Sequence, residues 1–219
     1  MTLVDQTESR RDRKAREMRR KILQAAHELF TTRGFDAVTM DDISHVADVA
    51  RGTVFNYFPT KESLCQGLGE LHVGQIQEEI AGGCLAGKAP TERVEWLMRR
   101  QAMLPGSNPE HCRTLVVRAL ASLRPGDPPA HKQQIYQLYR TWLEEGQRIG
   151  EVRPDVGAEE LASFLMGLEF QAVVAWAYGF ATRNLPDHVS HVLRLALEGL
   201  RTRTDLHLQE QGHANGDAV

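Results

Sequence analysis

The residues of this chain whose types and spacing suit recognition chemistry lie in one run, Thr39 to Phe58, TMDDISHVADVARGTVFNYF. Within it Ala50, Arg51, Gly52, Thr53 and Asn56 collect small and polar side chains at the N-terminal end of a short helical segment, and its apolar residues turn inward. Small residues let a backbone come close to a partner, and Thr53 and Asn56 can hydrogen-bond base edges or phosphates. That is the chemistry of a helix laid in a DNA major groove. The competing reading of these residues is a plain helical hairpin in an all-α core.

Two short helices and a tight turn must hold those groups in place. Thr39 and Asp42, three residues apart, form a capping box that satisfies free amides at a helix start. Ile43, Val46 and Ala47 recur at helical spacing and give that helix a buried face. Asp48-Val49-Ala50 breaks the pattern, and Val54 and Phe58 restart it until Pro59, which lacks an amide hydrogen and stops the second helix. Upstream, Met18, Ile22, Ala25 and Leu29, with Ala26 and Phe30 alongside, mark an amphipathic helix from about Ala15 to Arg33. Gly34 supplies its stop, and Phe35 folds back on its last turn. Three helices between residues 15 and 58 thus make a small head.

The run T-x-x-x-I-x-x-x-A-x-V-x-x-G-T-x-F-N-Y-F-x-x-K-E-x-L resembles the DNA-binding signature of TetR/AcrR-type bacterial transcriptional regulators. It is carried by Thr39, Ile43, Ala47, Val49, Gly52, Thr53, Phe55, Asn56, Tyr57, Phe58, Lys61, Glu62 and Leu64. The pattern I-L-x-A-A-x-x-L-F-x-x-x-G-F extends it through Ile22, Leu23, Ala25, Ala26, Leu29, Phe30, Gly34 and Phe35. The likeness is specific over residues 15–70 and architectural beyond. It implies that Gly52 and Thr53 face bases, that Ala50 belongs to the same DNA-binding set, that Arg51 reaches a guanine edge or a phosphate, and that Asn56 and Tyr57 bond phosphates. Thr39 would meet a phosphate as well as cap its helix, and Lys61 would pair with the DNA backbone from the start of the next helix. Two residues depart from the pattern: Phe55 stands where many members carry tyrosine, and Asp48 where a turn glycine is common.

Composition agrees with a protein that meets a polyanion at one end only. The 219 residues carry a net charge of −3, with 42% hydrophobic and 25% charged residues, an ordinary globular balance. Residues 9–21 nevertheless hold eight Lys/Arg against Asp12 and Glu17, whereas residues 61–219 hold 16 against 20 Asp/Glu. Cys65, Cys84 and Cys112 are widely spaced and read as reduced thiols of a cytoplasmic protein. The N-terminus has no apolar signal segment. Leu161 to Ala181 is long enough to span a membrane, but Glu169 and Gln171 near its middle favour a buried helix.

The expected fold is all-α: a three-helix head plus a larger C-terminal helical bundle, about nine helices in all. Its divisions are a flexible basic arm over 1–14, a helix-turn-helix domain over 15–59, a ligand-binding and dimerisation domain over 60–202, and a disordered tail over 203–219. Thr60 caps a fourth helix whose stripe of Leu64, Leu68, Leu71, Ile76 and Ile80 links head to body. The last two helices, about 157–180 and 186–202, are apolar around much of their circumference and need partners on two sides. In the family resembled, that partner is the same pair of helices of a second subunit, so a homodimer and a palindromic double-stranded operator are implied. The family's bodies commonly bind a small molecule. Trp96, Met98, Tyr139, Trp142, Phe164 and Phe170 are the candidate pocket residues, and they lean towards an apolar or aromatic effector.

No catalytic constellation is present in the sequence: there is no phosphate-cradling glycine loop, nucleophile elbow or HExxH. His188 and His191 make a weak metal pair without a nearby carboxylate or thiol arrangement. The adjacent glutamates 78–79, 144–145 and 159–160 point about 100° apart on a helix and read as solvated charges. The expectation is a DNA-binding transcriptional regulator, a repressor, with no enzyme activity, cofactor, metal or membrane. The alternative is a helical effector-binding protein or enzyme whose head does not read DNA sequence.

Overall fold

The computed structural model describes residues 9–103, 109–121 and 129–200. Nine helices, and no strand, are found among the described residues. The first, α1 (Arg10–Arg33), starts well before Ala15. Ser9 accepts a hydrogen bond from the Asp12 amide at 3.1 Å, and the arginines and lysine that follow are good helix formers. Residues 10–14, expected as flexible arm, are therefore helical. The rest of that arm, 1–8, and the expected tail, 203–219, lie outside the described residues.

Helices α2 (Met40–Val46) and α3 (Arg51–Tyr57) fall where capping and proline signals set them. The Thr39–Asp42 box is closed in both directions, with the Asp42 carboxylate accepting from the Thr39 amide at 2.8 Å and from its hydroxyl at 2.6 Å. Those bonds from Thr39, with the Arg33 guanidinium beside them, hold the Asp42 carboxyl down to about 2. Ile22, Ala26, Phe30, Val38, Ile43 and Val54 are all but sealed from solvent and form the head's own core.

The fourth helix, α4 (Lys61–Ala81), belongs to two cores at once. Its Leu64 and Cys65 complete the head core, and its Val73 and Ile76 enter a second core built by α5 (Pro90–Ala102), α7 (Ala130–Arg148), α8 (Ala158–Ala177) and α9 (Leu185–Leu200). The remaining helix, α6 (Pro109–Ala121), lies between head and body: Cys112 joins the body core while Leu115 and Ala119 pack on the head.

Three of the adjacent glutamates are not simply solvated. Glu79 takes a two-pronged bond from Arg100, Glu145 one from Arg93 at 2.9 Å and Glu159 one from Arg140 at 3.2 Å, and each bond joins two helices. In the apolar α8, Glu169 is buried and accepts from Gln101 at 3.0 Å and Tyr139 at 3.3 Å, while Gln101 also donates to the Tyr139 oxygen at 2.9 Å. Burial pushes the Glu169 carboxyl up and the Tyr139 hydroxyl well up. Ala158, Leu161, Ala162, Leu165, Ala172 and Trp176 form the rest of the inner stripe of α8, so one side of the apolar segment packs on protein.

The junction of α4 with the body carries two histidines, His131 buried and His72 half-buried. His131 of α7 sits over Gly69, where an added Cβ would come within 2.8 Å of the ring. His72 of α4 has an unpartnered ring nitrogen, and burial, with Arg100 and Lys132 nearby, pushes its pKa from 6.5 down to about 4. Folding thus favours its neutral form, a contribution fully present above pH 6.5 and lost as pH falls through about 4. Urea unfolding should show His72→Gln with a flatter stability profile than the parent between those limits. Identical profiles would remove His72 from the pH dependence.

Candidate nucleic-acid interface

The turn between α2 and α3 is set by Asp48, whose φ of +48° is left-handed, a conformation that aspartate tolerates better than most side chains. Lys21 of α1 holds that turn, its ammonium donating to the Asp48 carbonyl at 3.3 Å with the carboxylate 3.7 Å away. The negative charge that Asp48 brings to this surface is thereby partly offset. Val54 and Phe58 fix α3 to the head from its inner side.

On the outer side of α3, Ala50, Arg51, Gly52, Phe55 and Asn56 are exposed, with Thr53 and Tyr57 half-buried at the edges. Gly52 lies in open space, with nothing within 4 Å of an added Cβ. Its smallness is not needed by the fold and is available to a partner. The expected contact residues on α3 therefore share one surface. Arg51 is already engaged: its guanidinium pairs with Asp41 of α2 at 2.9 Å and lies over the Phe55 ring at 5.4 Å. Any phosphate or base contact by Arg51 must exchange that exposed pair for another. Phe55 lacks a hydroxyl but supplies the platform for this stacking.

Lys61 departs from expectation. Its ammonium donates to the carbonyls of Phe35 at 2.7 Å and Val38 at 2.9 Å and lies over the Phe35 ring, so it straps the start of α4 to the α1–α2 connection. Nothing in the sequence pattern distinguishes this inward turn from a phosphate contact. Thr39 is spent on its capping box, although it remains near the surface of the head.

The expected pocket residues divide. Met98, Tyr139 and Trp142 are buried together in the body core, and Trp96 packs at its edge. Phe164 and Phe170 do not join them: they are 51% and 50% exposed on the outer side of α8, because the inner side of that helix is the stripe containing Glu169. A separate surface groove of about 710 Å³ runs between α5 and α9, lined by residues of both signs, among them Arg99, Arg183, Arg194, Glu95, Asp187 and Glu198. No sequence pattern announces this groove, because those charges meet only in space.

Residues 22–68 match the model described as bacterial regulatory proteins, tetR family, and residues 108–202 match the C-terminal domain described as transcriptional regulator SbtR-like. The chain belongs to the TetR family. Among its relatives, the HTH-type transcriptional repressor KstR of Mycolicibacterium smegmatis is 31% identical over 94 residues, 43% of this chain and 46% of that protein. The chain therefore spans under half the length of the curated relatives it matches there. The Thermus thermophilus repressor FadR, solved in complex with lauroyl-CoA, is 29% identical with a TM-score of 0.62, covering 86% of this chain and 97% of its own. FadR from Bacillus subtilis, in complex with stearoyl-CoA, shares the fold at 21% identity and a TM-score of 0.61, over 83% and 99% of the two chains.

Two substitutions separate building the TetR-family head from using it. Lys61→Met should lower stability by about 2 kcal/mol through two lost charge-assisted bonds, read from urea unfolding, and should leave the salt dependence of DNA binding unchanged. Gly52→Leu should leave the thermal midpoint at or above that of the parent, since leucine is the better helix former, while abolishing specific DNA binding. The opposite pattern in either variant would reverse the assignment.

Proposed function

We propose that this chain is a dimeric transcriptional repressor that binds a two-fold symmetric operator through α3 and leaves it when its body takes up a small-molecule effector. The observation that carries the reading is the outer face of α3, where Gly52, Thr53 and Asn56 stand together with open space above the glycine. Ala50, Gly52 and Thr53 approach bases, Asn56 and Tyr57 take phosphates, and Arg51 exchanges Asp41 for DNA. One head makes few base contacts, so two heads on one duplex are the economical arrangement.

The dimer uses α8 and α9. Phe164, Phe170, Tyr178, Phe180 and Leu195 are large apolar side chains left exposed on or beside these two helices, and a surface of that kind needs a cover. A second copy supplies it isologously. The effector is apolar or aromatic over most of its length and enters the body between α5, α7 and α8, where Met98, Tyr139 and Trp142 meet and Gln101 and Glu169 offer polar ends. The acyl-CoA partners of the two FadR proteins support a ligand with a long apolar part. Release requires a ligand that binds the non-DNA conformation more tightly, and α4 is the element through which body movement reaches the head. Such a protein works in the cytoplasm and needs no cofactor.

Fluorescence anisotropy on DNA upstream of the chain's own gene tests the reading. Saturable binding that survives competitor DNA and is lost in Thr53→Ala is the expected result. Weak, steeply salt-dependent binding indifferent to Thr53 would reduce the head to charge attraction and overturn it. Sedimentation should give a dimer that Phe164→Glu dissociates; a monomeric parent would remove α8 and α9 from this role.

A further inference from the structure

We propose that the N-terminal turns of α1 form a second DNA-binding surface, a rigid cationic stripe that grips phosphates flanking the base pairs read by α3. The proposal rests on the operator-binding reading above and adds to it a surface outside the helix-turn-helix.

The stripe follows from the helix period. At 100° per residue, Arg10, Arg13, Lys14, Arg20 and Lys21 fall within about 120° of the circumference of α1. All five are exposed, and Glu17 is the one acidic residue among them. The opposite face carries Ile22 and Ala26 into the head core and Arg19 onto Glu70 of α4, paired at 2.6 Å with its guanidinium over Phe58. The cation on that face, Arg19, is thus spent on the fold. Among the described residues no carboxylate pairs with Arg10, Arg13, Lys14 or Arg20.

The direction of the stripe is fixed by its last member. Lys21 touches Asp48 in the α2–α3 turn, so the cationic face begins at the recognition element and runs outward from it. From Lys21 to Arg10 a helix rises about 16 Å, the axial length of about five base pairs. A polyanion of regular spacing is the partner this geometry fits, and DNA already seated on α3 presents one beside it. Because Ser9 caps the helix and the turns are formed beforehand, less ordering is required on binding than for a disordered arm.

The test compares the parent with a variant carrying Arg10→Ala, Arg13→Ala, Lys14→Ala and Arg20→Ala, leaving Lys21 to hold Asp48. Alanine keeps the helix, which circular dichroism and thermal unfolding verify before binding is measured. Affinities are measured across salt on two duplexes, one ending at the half-sites and one extended by about five base pairs on each side. On the extended duplex the variant should bind at least tenfold more weakly near 150 mM salt. Its log–log salt slope should fall by about 2 or more, one phosphate lost per head contributing about 0.9. On the short duplex the two proteins should bind alike. Equal slopes and affinities on the extended duplex, with the parent still specific, would overturn the stripe alone. If Thr53→Ala binds every sequence as the parent does, operator reading falls, whereas loss of the extended-duplex advantage in the stripe variant would still uphold the stripe.

Discussion

Everything in this fold depends on α4 being buried at both ends in different cores. Leu64 and Cys65 at its start are sealed into the head, and Val73 and Ile76 further on are sealed into the body. One helix thus enters both cores, so a change of packing at the body end reaches the head through α4. Gly67 and Gly69 let the neighbouring elements come close: side chains there would strike Phe58 and Leu23 in one case and the His131 ring in the other. The contact that carries the lever is therefore tight on both sides of its middle.

A second bridge limits how freely that lever moves. From α6, the His111 ring lies within 3.1 Å of the Thr31 carbonyl and against Gly34, and Arg118 pairs with Asp36 at 2.8 Å while lying over Phe35. Lys61 takes the other side of the Phe35 loop. The end of α1 and the loop that follows it are thus held from the body and from α4 together. A rearrangement of the body that shifted α6 relative to α4 would act on the same loop, and through the Thr39–Asp42 cap on the orientation of α2 and α3. Exchange of partners among such surface ion pairs costs little, and the exposed Arg51–Asp41 pair leaves the recognition helix correspondingly easy to re-engage.

The head was legible because its signals are local. A capping box, a left-handed turn residue, an apolar pair four apart and a terminating proline each act within a few residues, and each appears where the sequence indicates. The start of α1 was not legible by periodicity, since SRRDRKAR has no apolar face; its helicity comes from a serine cap and intrinsic propensity. No local signal marks the partners of Lys61 and Arg51, which are a loop 23 to 26 residues away and an aspartate on the preceding helix. On α8 the composition announced a buried helix, but not which side would face in. The stripe through Leu165, Glu169 and Ala172 took the interior and left Phe164 and Phe170 outside, which altered the expected pocket and supplied the apolar outer surface.

Selection from a pool of randomised DNA duplexes tests the two-headed reader most directly. A dimer that reads bases through two copies of α3 enriches an inverted repeat whose half-site centres lie about 10 base pairs, or a multiple of one helical turn, apart. Enrichment of no sequence, or of a lone half-site without its inverted partner, would contradict it.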